Sequence, residues 1–120
     1  MAVRLTSTSI WSEDLHNLLP FYRDVLGMPV RLETPGYVQL GEATDPPLAL
    51  GTHSEVHGKA TDPARHIVSL ETSNIRDEYA RLKGLGVEFL EEPVDQGGPV
   101  IFAAFRDPEG NLLQLIEFKR

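Results

Sequence analysis

Four histidines, at positions 16, 53, 57 and 66, and a complete absence of cysteine set the chemistry open to this 120-residue chain. Without a thiol there is no disulfide frame, no thiolate zinc site and no cysteine nucleophile. His66 opens a β-branched run, where an imidazole could ligate a metal or move a proton. Gln114 could coordinate weakly through its amide oxygen, while Ser7 and Ser9 offer neutral hydroxyls. His53 and His57 are four apart, a spacing that shares one face of a helix. They stand among Gly51, Gly58 and Pro63, however, where a helix is not expected, and read as solvated loop residues, as His16 reads as a surface residue.

The other reactive-looking clusters carry less. Glu91-Glu92 precedes Pro93 and reads as a solvated strand end, not an acid/base pair. Gly97-Gly98 lacks the flanking pattern of a phosphate loop, and no serine elbow occurs, so nucleotide use and serine hydrolysis drop out. Trp11 and Tyr37 could stack on a planar ligand or cover an apolar edge.

These residues need elements to hold them, and the chain supplies a duplicated set. Val25-Leu26-Gly27-Met28-Pro29-Val30 is echoed 59 positions later by Gly84-Leu85-Gly86-Val87-Glu88-Phe89, and the same shift places Ser7 on His66. In the first half, Arg4 to Ile10 reads as a strand with Leu5, Ser7 and Ser9 on one face, ended by Trp11. A helix from about Leu18 follows, with Asn17 as N-cap, Pro20 in the first turn and Gly27 as C-cap. Residues 12–16 form a separate short turn, and strands follow over 28–34, 37–40 and 48–53. In the second half the strand is His66 to Glu71, and Asn74 caps a helix whose apolar stripe is Ile75, Tyr79, Leu82 and Leu85, ended by Gly86. Strands over 88–94, 100–106 and 112–117 complete the repeat.

The predicted fold class is therefore α+β: tandem βαβββ modules forming a curved eight-stranded mixed sheet, with helices on the convex side. The whole chain, 1–120, is expected to be one domain, with module one over about 3–53, a linker over about 54–64 and module two over about 65–118. A ligand cavity is expected on the concave face.

Composition narrows the partners. Hydrophobic residues at 41% and charged residues at 24% fit a folded globular protein. The net charge of −7, with lysines and arginines scattered singly, disfavours nucleic acid. Residues 1–10 lack the pattern of a secretion signal and no apolar run could span a bilayer, so a cytoplasmic protein without membrane contact is expected.

Two stretches, Phe21-Tyr22-Arg23-Asp24-Val25-Leu26-Gly27-Met28 and Phe105-Arg106-Asp107-Pro108-Glu109-Gly110-Asn111-Leu112, together with the tandem plan, resemble the vicinal oxygen chelate superfamily. That group spans glyoxalases, extradiol dioxygenases and bleomycin-resistance proteins. The resemblance implies that catalytic members hold a divalent metal at positions that fall here on Ser7, Ala49, His66 and Gln114. Ala49 offers no ligand atom, Ser7 is a poor ligand, and no carboxylate stands at any of the four. Glu117 should point to the opposite face from Gln114.

The resemblance thus implies a small-molecule-binding protein that holds an organic ligand without a complete metal site and without a cofactor. Its ligand-binding residues are Ser7, Ser9, Trp11, His66, Val68, Phe102, Leu112, Gln114 and Ile116. A homodimer is also implied. The alternative is a lyase or dioxygenase-like enzyme with Zn, Ni, Fe or Mn on His66 and Gln114, or a metal-free isomerase using His66 as acid/base.

Overall fold

The computed structural model describes residues 5–119. The chain divides into two compact units, Met1–Gly58 and Lys59–Arg120, with the boundary inside the segment expected to link the modules.

In the first unit the strands are β1 (Thr8–Ser12), β2 (Val30–Thr34), β3 (Tyr37–Leu40) and β4 (Leu48–Thr52). β1 runs parallel to β4, and β4, β3 and β2 are antiparallel neighbours, giving the order β1-β4-β3-β2. The second unit holds β5 (Val68–Glu71), β6 (Val94–Asp95), β7 (Val100–Arg106) and β8 (Leu112–Phe118), in the matching order β5-β8-β7-β6. The α+β class and the doubled βαβββ plan stand. The eight strands pair as two four-stranded mixed sheets, with no closed barrel.

Helix α1 (Ile75–Gly84) starts where Asn74 leaves the helical backbone and its side chain accepts the Asp77 N–H. Ile75 and Leu82 bury fully, while Leu85, expected in the same stripe, is 56% exposed because the helix has already ended at the turn before Gly86. Gly86 takes a φ of +91°, the left-handed conformation that costs a glycine least, and Gly27 does the same in the first unit at +76°.

The helical segment of the first unit differs from expectation. A 3₁₀ turn, Leu15–Asn17, comes first, capped by Asp14 rather than by Asn17, and a wide π-type turn, Phe21–Val25, follows Pro20. Leu26 N–H donates to the Phe21 carbonyl five residues back at 2.9 Å.

Side-chain hydrogen bonds explain the difference. In the first unit Asp14 N–H donates to the Ser12 hydroxyl, and Leu15 N–H donates to the hydroxyl of Thr52 on β4. In the second, Asn74 N–H donates to the Thr72 hydroxyl, and Ile75 N–H donates to the Glu117 carboxylate on β8 at 2.7 Å. Ser12, Asp14 and Leu15 thus correspond to Thr72, Asn74 and Ile75, a shift of 60 positions rather than the 59 that relates Gly27 to Gly86. The first unit carries one residue more between strand and glycine. A π-type turn is the form in which a helix absorbs one extra residue.

Three strand limits also change. β1 starts at Thr8 and runs through Trp11, so Trp11 lies within the strand; Arg4, placed in it above, lies outside the described residues. β5 starts at Val68, leaving His66 before it, at the end of a 3₁₀ turn over Pro63–Arg65. The expected strand over 88–94 shrinks to Val94–Asp95 plus a lone bridge between Phe89 and Phe105, because Pro93 has no N–H for a ladder and interrupts the pairing.

The core lies on the helix-covered face of each sheet. In the first unit Val38, Leu40, Leu48 and Leu50 meet Leu15, Leu18, Leu19 and Tyr22; in the second Ala103, Phe105, Leu113 and Leu115 meet Ile75 and Leu82.

Candidate functional site

Strand alternation sorts each sheet into a helix-covered and a helix-free face. On β4 the helix-covered face carries Leu48, Leu50 and Thr52, so Ala49 and Gly51 belong to the other. Register then sets Ser9, Ala49, Gln39 and Leu32 in one row of the helix-free face, and Trp11, Gly51 and Tyr37 in the next. On β8 Glu117 reaches the start of α1, so Gln114 and Ile116 are on the helix-free face, as the alternation argument required. Their rows are Ser69, Gln114 and Ala104, then Glu71, Ile116 and Phe102.

Trp11 is the dominant feature of the first helix-free face. Its ring lies so close over Gly51 that a Cβ there would overlap the indole Cζ3. Glycine at this point makes a recess into which the ring sinks, yet the indole remains 44% exposed. His53 sets its ring edge-on to Trp11 at 5.6 Å and 78°, while its Nδ1 accepts the Glu55 N–H. In the same row the Tyr37 hydroxyl accepts a hydrogen bond from Gln39 Nε2 at 3.0 Å. The arrangement offers a flat apolar ring bordered by an imidazole and an amide–phenol pair, suited to stacking a planar group.

The other expected site residues divide. Ser9, Phe102, Leu112, Gln114 and Ile116 fall on helix-free faces, and the Ser69 hydroxyl donates to Gln114 Oε1 at 3.4 Å. Val68 does not belong with them: it pairs with Leu113 and lies on the helix-covered face. His66 is exposed and stands outside β5. By the 60-residue correspondence, the counterpart of Ser7 is Ile67, and continued alternation puts Ile67 rather than His66 on the face of Gln114. Sequence reasoning missed Gly51 and Gln39, whose roles depend on cross-strand register. It also missed Glu71, which brings a carboxylate to the helix-free face beside Ile116.

The four positions at which the fold's catalytic relatives would hold a metal are thus Ser7, Ala49, Ile67 and Gln114. Their donors are one hydroxyl and one amide oxygen, which do not fit a divalent transition metal. Among the described residues no group of three His, Asp or Glu side chains could share an ion.

A depression of about 470 Å³ opens beside the Ser9 row of the first unit, lined by residues 5–7, Arg31, Gln39 and residues 44–47. Arg31 sits where β2 breaks register between Val30 and Leu32. Its Nη1 donates to the backbone carbonyls of Asp45 at 2.7 Å and Glu42 at 3.3 Å.

Two four-stranded mixed sheets, each with one helix-free face, define a duplicated α+β protein of the glyoxalase type. The chain matches the Glyoxalase/Bleomycin resistance protein/Dioxygenase superfamily over residues 4–115, and it belongs to that family. It is 30% identical over 127 aligned positions to the protein YurT of Bacillus subtilis (strain 168), covering 96% of this chain and 99% of that one. Among solved structures, TnmS3, an antibiotic binding protein from Streptomyces sp. CB03234, superposes with a TM-score of 0.79 at 22% identity over 99% of both chains. A glyoxalase/bleomycin resistance protein/dioxygenase from Nocardioides gives a TM-score of 0.78 at 22% identity, over 97% of this chain and 83% of that one. Among the described residues no helix is long and apolar enough to cross a membrane.

Proposed function

We propose that this protein binds an organic molecule bearing a planar aromatic group, stacked on the helix-free sheet face of its first unit without a metal ion or other cofactor. The observation that carries the reading is Trp11, a half-exposed indole seated in the recess at Gly51. An aromatic ring lying over glycine is already ordered, so a ligand stacking on it loses little further side-chain freedom. The helix-free face of the second unit carries apolar side chains of its own, Phe102, Leu112 and Ile116, and a polar pair, Gln114 and Ser69. The donor poverty of Ser7, Ala49, Ile67 and Gln114 favours binding over metal-assisted chemistry, and the position of His66 outside β5 weakens the acid/base alternative. The antibiotic-binding description of TnmS3, a protein of the same fold, points in the same direction. We propose further that the protein is a homodimer, which sedimentation velocity tests directly.

Trp11 is the single tryptophan of the chain, so its fluorescence reports one place. Titration with a panel of planar aromatic compounds should quench it saturably and raise the melting temperature, and Trp11→Leu should remove that thermal shift. Stoichiometric Zn, Ni, Fe or Mn in protein purified without chelator, lost in His66→Ala, would overturn the metal-free reading.

A further inference from the structure

Arg31 is held by backbone carbonyls instead of by a carboxylate. Arg23, Arg65, Arg81 and Arg106 each pair with a carboxylate, through Asp24, Asp62, Glu78 and Glu88. Arg31 has no carboxylate within ion-pair distance among the described residues. It is anchored instead by two backbone carbonyls, both through Nη1. Its Nε and Nη2 make no hydrogen bond among the described residues. A guanidinium fixed by neutral acceptors keeps its full charge and two donors in the fork geometry that suits a carboxylate.

Arg31 also lines the 470 Å³ depression, together with Ser7 and Gln39. Gln39 donates through Nε2 to Tyr37, which leaves its amide oxygen to act as an acceptor. Asp45 belongs to the same lining and meets Arg31 through its backbone carbonyl, its carboxylate making no ion pair with Arg31. Ser7, Ser9 and Trp11 follow one another at two-residue steps, so Ser7 in the lining stands roughly 13 Å along the chain from Trp11 at about 3.3 Å per residue, and Gln39 lies one row from the Trp11 row.

We infer that the ligand is bipolar: an aromatic acid whose planar part stacks on Trp11 and whose carboxylate is received by Arg31 in this depression. The inference rests on the aromatic-binding reading above and adds the charge of the ligand and its direction on the sheet. It runs against the net charge of −7, which by itself favours neutral or cationic compounds. A local cation without a counter-charge among the described residues outweighs a diffuse surface field, because salt screens the distant charges within about 10 Å.

The test uses 1-pyrenehexanoate and 1-pyrenehexanol, which share the arene and the chain and differ in the terminal charge. Binding of each is followed by quenching of Trp11 in the full chain at about 0.1 M ionic strength, where the screening length is about 10 Å, with wild type, Arg31→Gln and Arg31→Lys. The acid should bind wild type about tenfold more tightly than the alcohol, as expected for a charge-assisted hydrogen-bonded pair. Arg31→Gln should bring the two within about twofold, the loss falling mainly on the acid, and Arg31→Lys should keep part of the preference. Unchanged urea midpoints show that the variants are folded. Equal binding of the two probes by wild type, or a preference that survives Arg31→Gln, overturns the assignment of Arg31 while leaving the aromatic platform standing. If neither probe quenches Trp11, the aromatic-binding reading falls and this inference falls with it.

Discussion

Replacing Gly51 with alanine isolates the recess beneath Trp11. The added Cβ would overlap the indole Cζ3 and stand 2.5 Å from Cε3 and 3.1 Å from Cη2, so the ring must leave its seat. The backbone itself has no objection: Gly51 is not among the positive-φ glycines, and alanine in a strand interior is worth about 0.5–1 kcal/mol over glycine. Lifting the ring exposes on the order of 100 Å² of apolar surface, which at about 25 cal/mol per Å² costs ~2.5 kcal/mol. The net expectation is a loss of about 1.5–2 kcal/mol. Urea denaturation measures it, and the emission of the single tryptophan should shift to the red in the folded variant. The decisive comparison is the same substitution in a Trp11→Ala background, where Gly51→Ala should become neutral or stabilising by about 0.4–1 kcal/mol. An equal loss with and without the indole would refute the recess.

Glu117→Ala removes the acceptor for the first N–H of α1 and should destabilise the protein by about 1.5–3 kcal/mol, with Glu117→Gln recovering part of it; urea unfolding monitored by circular dichroism decides. Asp14 is held below its ordinary value of 3.8 by the His16 backbone N–H, and Asp95 below the same value by the Lys119 ammonium. Glu78 is likewise lowered from 4.5 by the Arg81 guanidinium. Because each folded-state pKa is depressed, these carboxylates stabilise the fold above their ordinary values and lose that contribution as pH falls through the lowered ones. Urea midpoints should therefore be flat near pH 6 and decline below about pH 4, and a triple variant with Asp14→Asn, Glu78→Gln and Asp95→Asn should decline less steeply. Wild-type protein should show no binding of Zn or Ni by calorimetry and no metal-dependent rise in melting temperature, and His66→Ala should match it in both.

Much of the fold was written in local patterns. The Asn74 cap, the Pro35-Gly36 turn between β2 and β3, and the limits of β7 depend on near neighbours in the chain, and β3 and β7 run over the residues expected of them. The site was less legible, because membership of a face depends on register, and a one-residue error exchanges faces. The glycines after the two helices repeat at a shift of 59, and that shift carries Ser7 onto His66. The helix starts and the strands before them repeat at 60, and the shift of 60 carries Ser7 onto Ile67.

The residue responsible for this change lies far from the site, inside the π-type turn at Phe21–Val25. Pro20 cannot donate a hydrogen bond, so the chain enters that turn with its ladder already interrupted, and the wider winding there accommodates the additional residue. Gly27 then takes up the same conformation as Gly86, and downstream of it the two units follow the same strand order. An insertion taken up inside a helix leaves both flanking strands intact, so nothing in the strands' own composition marks it. The functional consequence is the identity of one residue on the helix-free face. A branched apolar side chain stands where an imidazole was expected, and this favours a surface that holds an organic molecule over one that holds a metal.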